Sequence, residues 1–340
     1  MSPNPFFFGG AIRDARYFVG RRRELRRIYA ALQHLPAQAQ HVSVIGPRRM
    51  GKSSLLMRVH QLLPSRVPAA RGVYLDGQSL RSPADFHRAW AAALGVATVA
   101  LEQHLQFLRD QGQMVVLLLD ELEALIEHGF PKDFFDRLRA LMNDSRLAMV
   151  VAAKTPVPEL VREQGLTSPF FNMFVEQIRL GPLPADEAEE LLARGRTCDR
   201  PFTPEELAWL RRWARQGNGY HPARLQLAGF RLYEAKAHGP VDLAALERQL
   251  NAQWAAVIEA RLPWHRRARR ALRKCAIGIG RFVHETILRK PKGTTSESTL
   301  FFTGVIVMGV FIGLALALMF GLVPWEAVLA WVVQRLSGGQ

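Results

Sequence analysis

The sequence predicts an α/β fold: a parallel sheet flanked by helices, followed by a small helical domain and one C-terminal transmembrane helix. Three observations predict it. Apolar runs of strand length alternate with helical periods between residues 41 and 180, which implies a parallel sheet covered on both faces. From Pro184 onward the apolar period is helical only, so strands are expected to end there. Leu300 to Val323 is a run of 24 residues without a charge, and about 20 apolar residues suffice to cross a bilayer.

The elements follow in order. His41–Ile45 (HVSVI) reads as a short strand ending in a glycine-rich loop, with a helix over Lys52–Leu63. Gly72–Asp76 is a second strand and Pro83–Leu94 a helix. Met114–Leu119 is apolar at every position, as expected of a strand at the centre of a parallel sheet. A helix over Asp133–Asn143, a strand over Leu147–Ala153 and a last strand over Glu176–Leu180 complete this part. Ala185–Arg194, Pro204–Gln216, Pro222–Lys236 and Asp242–Ala260 read as four helices. The expected organisation is therefore residues 1–182 for the sheet domain and 183–238 for the helical domain. A basic linker over 239–299, the span 300–323 and a short tail 324–340 follow.

Charge sharpens the picture. The 340 residues carry 45 Lys+Arg against 30 Asp+Glu, a net +15, which suits nucleic acid, an anionic membrane or an acidic ligand. Residues 13–27 hold seven arginines and two acids; residues 266–292 hold ten bases and one acid. The chain between them is nearly neutral. A basic amphipathic stretch beside an apolar span reads first as a lipid-surface helix, with nucleic acid as second choice. The positive-inside rule then places residues 1–299 in the cytoplasm and the C-terminus outside the inner membrane. Within the span Gly309, Gly313, Ala317 and Gly321 share one helix face that suits self-association. The Arg21–Arg27 cluster reads as a solvated helix face or a subunit or nucleotide contact. Two cysteines, Cys198 and Cys275, are too few for a disulfide framework and suggest a reducing compartment. The N-terminus lacks the basic start and apolar run of a signal peptide.

The residues with chemistry begin at Gly46-Pro47-Arg48-Arg49-Met50-Gly51-Lys52-Ser53. This is the GxxxxGK[ST] pattern between an expected strand and an expected helix. Its glycines let backbone N–H groups curl around phosphates, with the helix N-terminus adding a positive dipole end. Lys52 is expected to reach the β- and γ-phosphates, Ser53 to ligate Mg²⁺, and Ser54 belongs to the same phosphate-binding segment. Leu117–Glu121 (LLLDE) is an apolar strand ending in two carboxylates. Asp120 is expected to hold Mg²⁺ through water and Glu121 to act as general base. No NKxD pattern supports guanine, so ATP is the expected nucleotide.

With Phe18-Val19-Gly20-Arg21-Arg22-Arg23-Glu24-Leu25 and GNGYHPARLQL at 217–227, these motifs resemble the STAND and archaeal-type AAA+ ATPases near the origin-recognition clade. The resemblance covers residues 5–237. It implies that Phe18, Val19, Gly20 and Arg21 line the adenine pocket and that Lys154 acts as a sensor near the γ-phosphate. It also implies that His221 and Pro222 form the lid element on the adenine side, with Arg224 as a second sensor or an exposed helical arginine. STAND proteins usually continue into a winged helix and long effector domains; here about 60 residues separate the expected lid from the expected span, too few for a full winged helix plus linker. No arginine finger is assignable among Arg137, Arg139, Arg146 and Arg162. The expected function is a membrane-anchored ATPase switch that self-associates. The alternatives are a membrane-tethered motor or loader acting on DNA or protein, and a scaffold with a structural nucleotide.

Overall fold

The computed structural model describes residues 3–164 and 168–259 and, beyond them, positions 279, 296, 299–300, 302–303 and 305–307. The chain divides into two units, Met1–Arg248 and Gln249–Gln340; the sheet, the lid and the candidate site all belong to the first. Among the described residues no helix is long and apolar enough to cross a membrane. Most of the apolar run 300–323 and nearly all of the basic segment 266–292 lie outside the described residues.

In chain order, α1 (Arg22–Leu32) precedes β1 (Val42–Ile45), α2 (Lys52–Arg66), β2 (Ala70–Asp76), α3 (Pro83–Leu94), α4 (Leu101–Asp110) and β3 (Met114–Asp120). Then come α5 (Leu122–Glu127), α6 (Lys132–Asn143), β4 (Leu147–Ala153), α7 (Val157–Gln164) and β5 (Glu176–Arg179). The five strands form one parallel sheet in the order β2-β3-β4-β1-β5. All seven residues of β3 and of β4 are buried, because each strand is covered on both faces. Alternation divides them: Val115, Leu117 and Leu119 face the layer containing Phe86, Trp90, Leu105, Phe135 and Leu138. Met114, Val116 and Leu118 face Ile28, Leu32, Leu55, Val59 and Leu63 of α1 and α2. Each such buried side chain is worth about 1.5–3 kcal/mol.

The caps follow local chemistry. Ser82 accepts from the Asp85 N–H at the start of α3, with Pro83 in the first turn. The helices α4, α5 and α7 were not expected from the sequence. α5 is a single short stretch that begins where β3 ends.

The lid comprises α8 (Ala185–Thr197), α9 (Pro204–Ala214) and α10 (Pro222–Ala235), followed by α11 (Leu243–Glu259). α9 opens with a full capping box between Thr203 and Glu206. One expectation is corrected here: strands do not end at Pro184. β6 (Arg215–Gln216) and β7 (Gly219–Tyr220) form an antiparallel hairpin around Gly217-Asn218, and Leu183 bridges to Tyr220. Two-residue strands are too short to show an alternating period.

An N-terminal segment ties lid to sheet domain. Phe6 is 1% exposed and stacks on Phe202 with ring centroids 5.4 Å apart. The Phe7 N–H donates to Gln226 Oε1 at 2.9 Å, and the Ile12 N–H donates to Ser54 Oγ at 2.9 Å.

Candidate active site

The loop 46–51 leaves the C-terminal end of β1 and enters α2. Gly46 has φ +156° and a Cβ there would stand 2.7 Å from the Leu180 carbonyl oxygen, so the strand-to-loop corner requires glycine. The first turn of α2 has no side-chain cap, which leaves its N–H groups and dipole end open to an anion. Arg49 holds a left-handed backbone at φ 64°, and its guanidinium lies 5.3 Å from the Phe8 ring centre. Lys52 is 8% exposed; its ammonium donates to the carbonyls of Gly46 at 2.7 Å and Pro47 at 3.2 Å. Burial pushes the Lys52 amine below its ordinary range, against the charges of Glu123, Asp120 and Glu121, which pull it up. Pro47 and Arg48 are exposed at the loop tip.

Strand order brings the other groups in. β4 lies between β1 and β3, with Ile45 beside Ala153 and Leu119 beside Val151. The residue that follows β4, Lys154, is thereby placed between the phosphate loop and the carboxylates at the end of β3. Asp120 is 4% exposed and accepts from the Tyr74 hydroxyl at 3.0 Å. Burial raises its carboxyl above the ordinary range, while the hydroxyls of Ser53 and Tyr74 pull the other way. Glu121 has a left-handed backbone at φ 48°, and its carboxylate accepts from the Gln78 amide. The Lys154 ammonium stands 3.0 Å from Glu123 Oε1 and 4.0 Å from Glu121 Oε2.

Arg21 departs from the solvated-face reading and is corrected. It is 3% exposed and left-handed at φ 59°. Its guanidinium donates to the carbonyls of Met50 at 2.8 Å and Gly181 at 2.7 Å and pairs with Glu24 at 3.1 Å. α1 therefore begins only at Arg22. Elsewhere in the cluster, Arg22 pairs with Asp186 and Glu190 of the lid, and Arg27 with Glu176 of β5. Three of the four non-glycine residues with positive φ among the described residues, Arg21, Arg49 and Glu121, lie in this site. Such backbone strain persists where surrounding contacts over-determine it.

The lid element approaches from the other side. His221 is 8% exposed, and burial together with the charges of Arg224, Arg49 and Arg21 pushes its imidazole down to about 4. Pro222 opens α10. The Arg224 guanidinium stacks 4.6 Å from the Trp213 ring centre. The Phe18 carbonyl accepts from Arg194 at 3.3 Å, and Val19 and Gly20 continue to Arg21. Ser54 is turned inward, with its hydroxyl occupied by the Ile12 N–H. Of the finger candidates, Arg146 pairs with Asp144, Arg137 is exposed, Arg139 is half-buried, and the side chain of Arg162 lies outside the described residues.

Among the described residues no cluster of three or more His, Cys, Asp or Glu could hold a metal alone. Mg²⁺ has no need of one, since it is bound through one or two carboxylates together with substrate phosphates. A buried carboxylate facing a serine hydroxyl, Asp120 with Ser53, is a donor set of that kind. Motif reading missed Tyr74, Gln78 and Glu123. Glu123 left a signal as a third acid in DELE, whereas Tyr74 and Gln78 meet the carboxylates only through strand pairing.

Residues 35–161 match a family model described as an AAA domain. No curated protein sequence matches the chain. Among solved structures, the chain is similar to the Walker-type ATPase of Pyrococcus abyssi, with 16% identity and a TM-score of 0.58 over 86% of this chain and 90% of that one. It is similar to the ORC2 protein of Aeropyrum pernix in ADPNP-ADP complexes, with 15% identity and a TM-score of 0.58 over 82% and 78%. It is also similar to the Aeropyrum pernix ORC1 protein in complex with DNA, with 16% identity and a TM-score of 0.52 over 86% and 78%. These likenesses are likenesses of fold, and the fold is that of an α/β P-loop NTPase with a parallel sheet flanked by helices.

Proposed function

We propose that the protein is a membrane-anchored, Mg²⁺-dependent ATPase whose nucleotide cycle drives a conformational or assembly switch, as in the STAND and origin-recognition-like ATPases it resembles. One observation carries the catalytic part: the loop 46–53, Asp120, Glu121 and Lys154 converge at the C-terminal ends of three adjacent strands. Ligands of open α/β sheets bind at such strand ends.

Each residue then has a task. Lys52 exchanges the carbonyls of Gly46 and Pro47 for the β- and γ-phosphates, and the N–H groups at the start of α2 cradle the same oxygens. Ser53 and Asp120 would hold Mg²⁺, which when bound offsets phosphate charge. Glu121 takes the proton of the attacking water, and Lys154 places a positive charge where the terminal phosphate develops negative charge. Phe18–Arg21 on one side and His221-Pro222 on the other bound the adenine. The lid would report occupancy, because Arg21 joins it to the phosphate loop, its N–H donating to Glu187 of the lid and its guanidinium to the Met50 carbonyl.

The anchor rests on sequence: an uncharged 24-residue run preceded by a strongly basic segment, which fits one span with residues 1–299 in the cytoplasm and anionic lipid at the linker. Self-association through the span, and ATP-dependent assembly, belong to the same reading. The second reading, a loader acting on DNA, is favoured by the likeness of fold to ORC1, whose structure is a DNA complex.

The test is to purify the protein in detergent and measure ATP and GTP turnover, and particle mass with and without ATP. ATP-selective turnover and a mass that rises with ATP support the switch. An unchanged mass removes the assembly step, and turnover stimulated by duplex DNA moves the account to the loader. A C-terminal periplasmic reporter that stays silent would overturn the topology.

A further inference from the structure

Glu123 lies in α5, three residues beyond Asp120, and its side chain is 3% exposed. Neither of its carboxylate oxygens accepts a hydrogen bond, yet Lys154 stands 3.0 Å away. Among the acids acting on Lys52, Glu123 exerts the largest pull. A buried carboxylate without hydrogen bonds is costly unless a cation compensates it. Here two lysines of the site do so. Lys154 is different: its side chain is 30% exposed, so water alone would solvate its ammonium. Glu123 is the nearer of the two carboxylates that hold that cation, at 3.0 Å against 4.0 Å for Glu121, and the cation lies close enough to Lys52 for its charge to act on that amine.

We propose that Glu123 is a positioning residue that acts through Lys154. It holds the ammonium at the mouth of the phosphate loop before nucleotide arrives and thereby sets how strongly the site prefers ATP to ADP. The inference rests on the reading of the site as an ATP site. It assigns Glu123 no contact with substrate. The affinity of both nucleotides follows the net charge of the whole site, whereas their ratio reports on the cation that meets the third phosphate.

The experiment measures equilibrium binding of fluorescent ATP and ADP analogues, with Mg²⁺, to full-length wild type, Glu123→Gln, Glu123→Asp, Lys154→Gln and the Glu123→Gln/Lys154→Gln double variant. Melting temperatures confirm folding. A charge-assisted contact of this kind amounts to about tenfold in affinity. Glu123→Gln is therefore expected to lower the ATP-over-ADP ratio about tenfold, to the level of Lys154→Gln. Glu123→Asp is expected to restore part of it, and the double variant to match either single one. Equal losses of ATP and ADP binding, or losses that add in the double variant, would assign Glu123 a purely structural role and overturn the proposal. An unchanged ratio in Lys154→Gln would also overturn it. Wild type that binds neither nucleotide would instead sink the ATP reading on which the inference stands. If Glu123→Gln fails to fold, Glu123→Asp compared with Lys154→Gln carries the same comparison.

Discussion

Glu187, on the first lid helix, accepts the backbone N–H of Arg21 at 2.7 Å. Its second oxygen accepts the Arg22 N–H at 3.0 Å, so a buried lid carboxylate caps the start of α1. The approach is close enough that Gly20, at φ +66°, has no room for a Cβ, which would stand 2.5 Å from Glu187 Oε2. The Arg21 side chain then reaches the Met50 and Gly181 carbonyls. One residue therefore joins the lid, the phosphate loop and the end of β5.

Loss of that cap has a stability consequence. Glu187→Ala leaves two N–H groups without their charged acceptor, and each such bond contributes about 1.5–3 kcal/mol. Urea unfolding of the variant should show a loss of about 3 kcal/mol. Stability equal to wild type would show that the contact does not tie the lid down.

Arg21→Lys tests geometry at constant charge. An ammonium cannot span two carbonyls and Glu24 as the planar guanidinium does. Nucleotide affinity should fall about tenfold, read by fluorescence titration. An unchanged affinity would remove Arg21 from the positioning of the loop.

The N-terminal segment is anchored by an aromatic plug. Phe6 packs flat on Phe202 and against Gly229, where a Cβ would stand 2.3 Å from the ring. Phe6→Ala should destabilise the protein by about 3–5 kcal/mol, and Gly229→Ala should displace the same ring. Limited proteolysis checks this: cleavage between residues 4 and 17 should accelerate in both variants.

Acid sensitivity follows from His41. It is 6% exposed, accepts the Met149 N–H on Nδ1 at 3.2 Å, and burial pushes its imidazole down to about 4. The folded state therefore holds it neutral, while the unfolded chain protonates it near its ordinary 6.5. Its contribution is complete above pH 6.5, is lost as pH falls toward 4, and changes no further below that. The loss amounts to roughly 3 kcal/mol, and His221 titrates in the same window. His41→Asn keeps an acceptor and removes the titration, so it should reduce the stability difference between about pH 7 and pH 4.5. An identical difference in urea unfolding would contradict this.

Local patterns were legible where they were self-contained. The phosphate loop and the Asp120-Glu121 pair show in sequence because each needs only a strand and a turn of fixed length. Met114–Leu119 announced a central strand because both its faces are apolar. Strand order did not show: only the placement of β4 between β1 and β3 brings Lys154 to Glu123, and nothing local encodes that neighbour. The arginines of 13–27 look alike in sequence, yet Arg21 is buried, and Arg16, Arg22 and Arg27 are paired with Asp14, two lid acids and Glu176. Their partners lie up to 168 residues away along the chain, from Arg22 to Glu190, beyond the reach of any periodicity. The β6–β7 hairpin escaped notice through brevity.

The most direct measurement is ATP turnover by full-length wild type and Glu121→Gln in the presence and absence of Mg²⁺, alongside ATP binding by both. The account predicts Mg²⁺-dependent hydrolysis in wild type, a fall of at least about 100-fold in Glu121→Gln, and ATP affinity retained in the variant. Glu121→Gln turning over ATP as fast as wild type would contradict it.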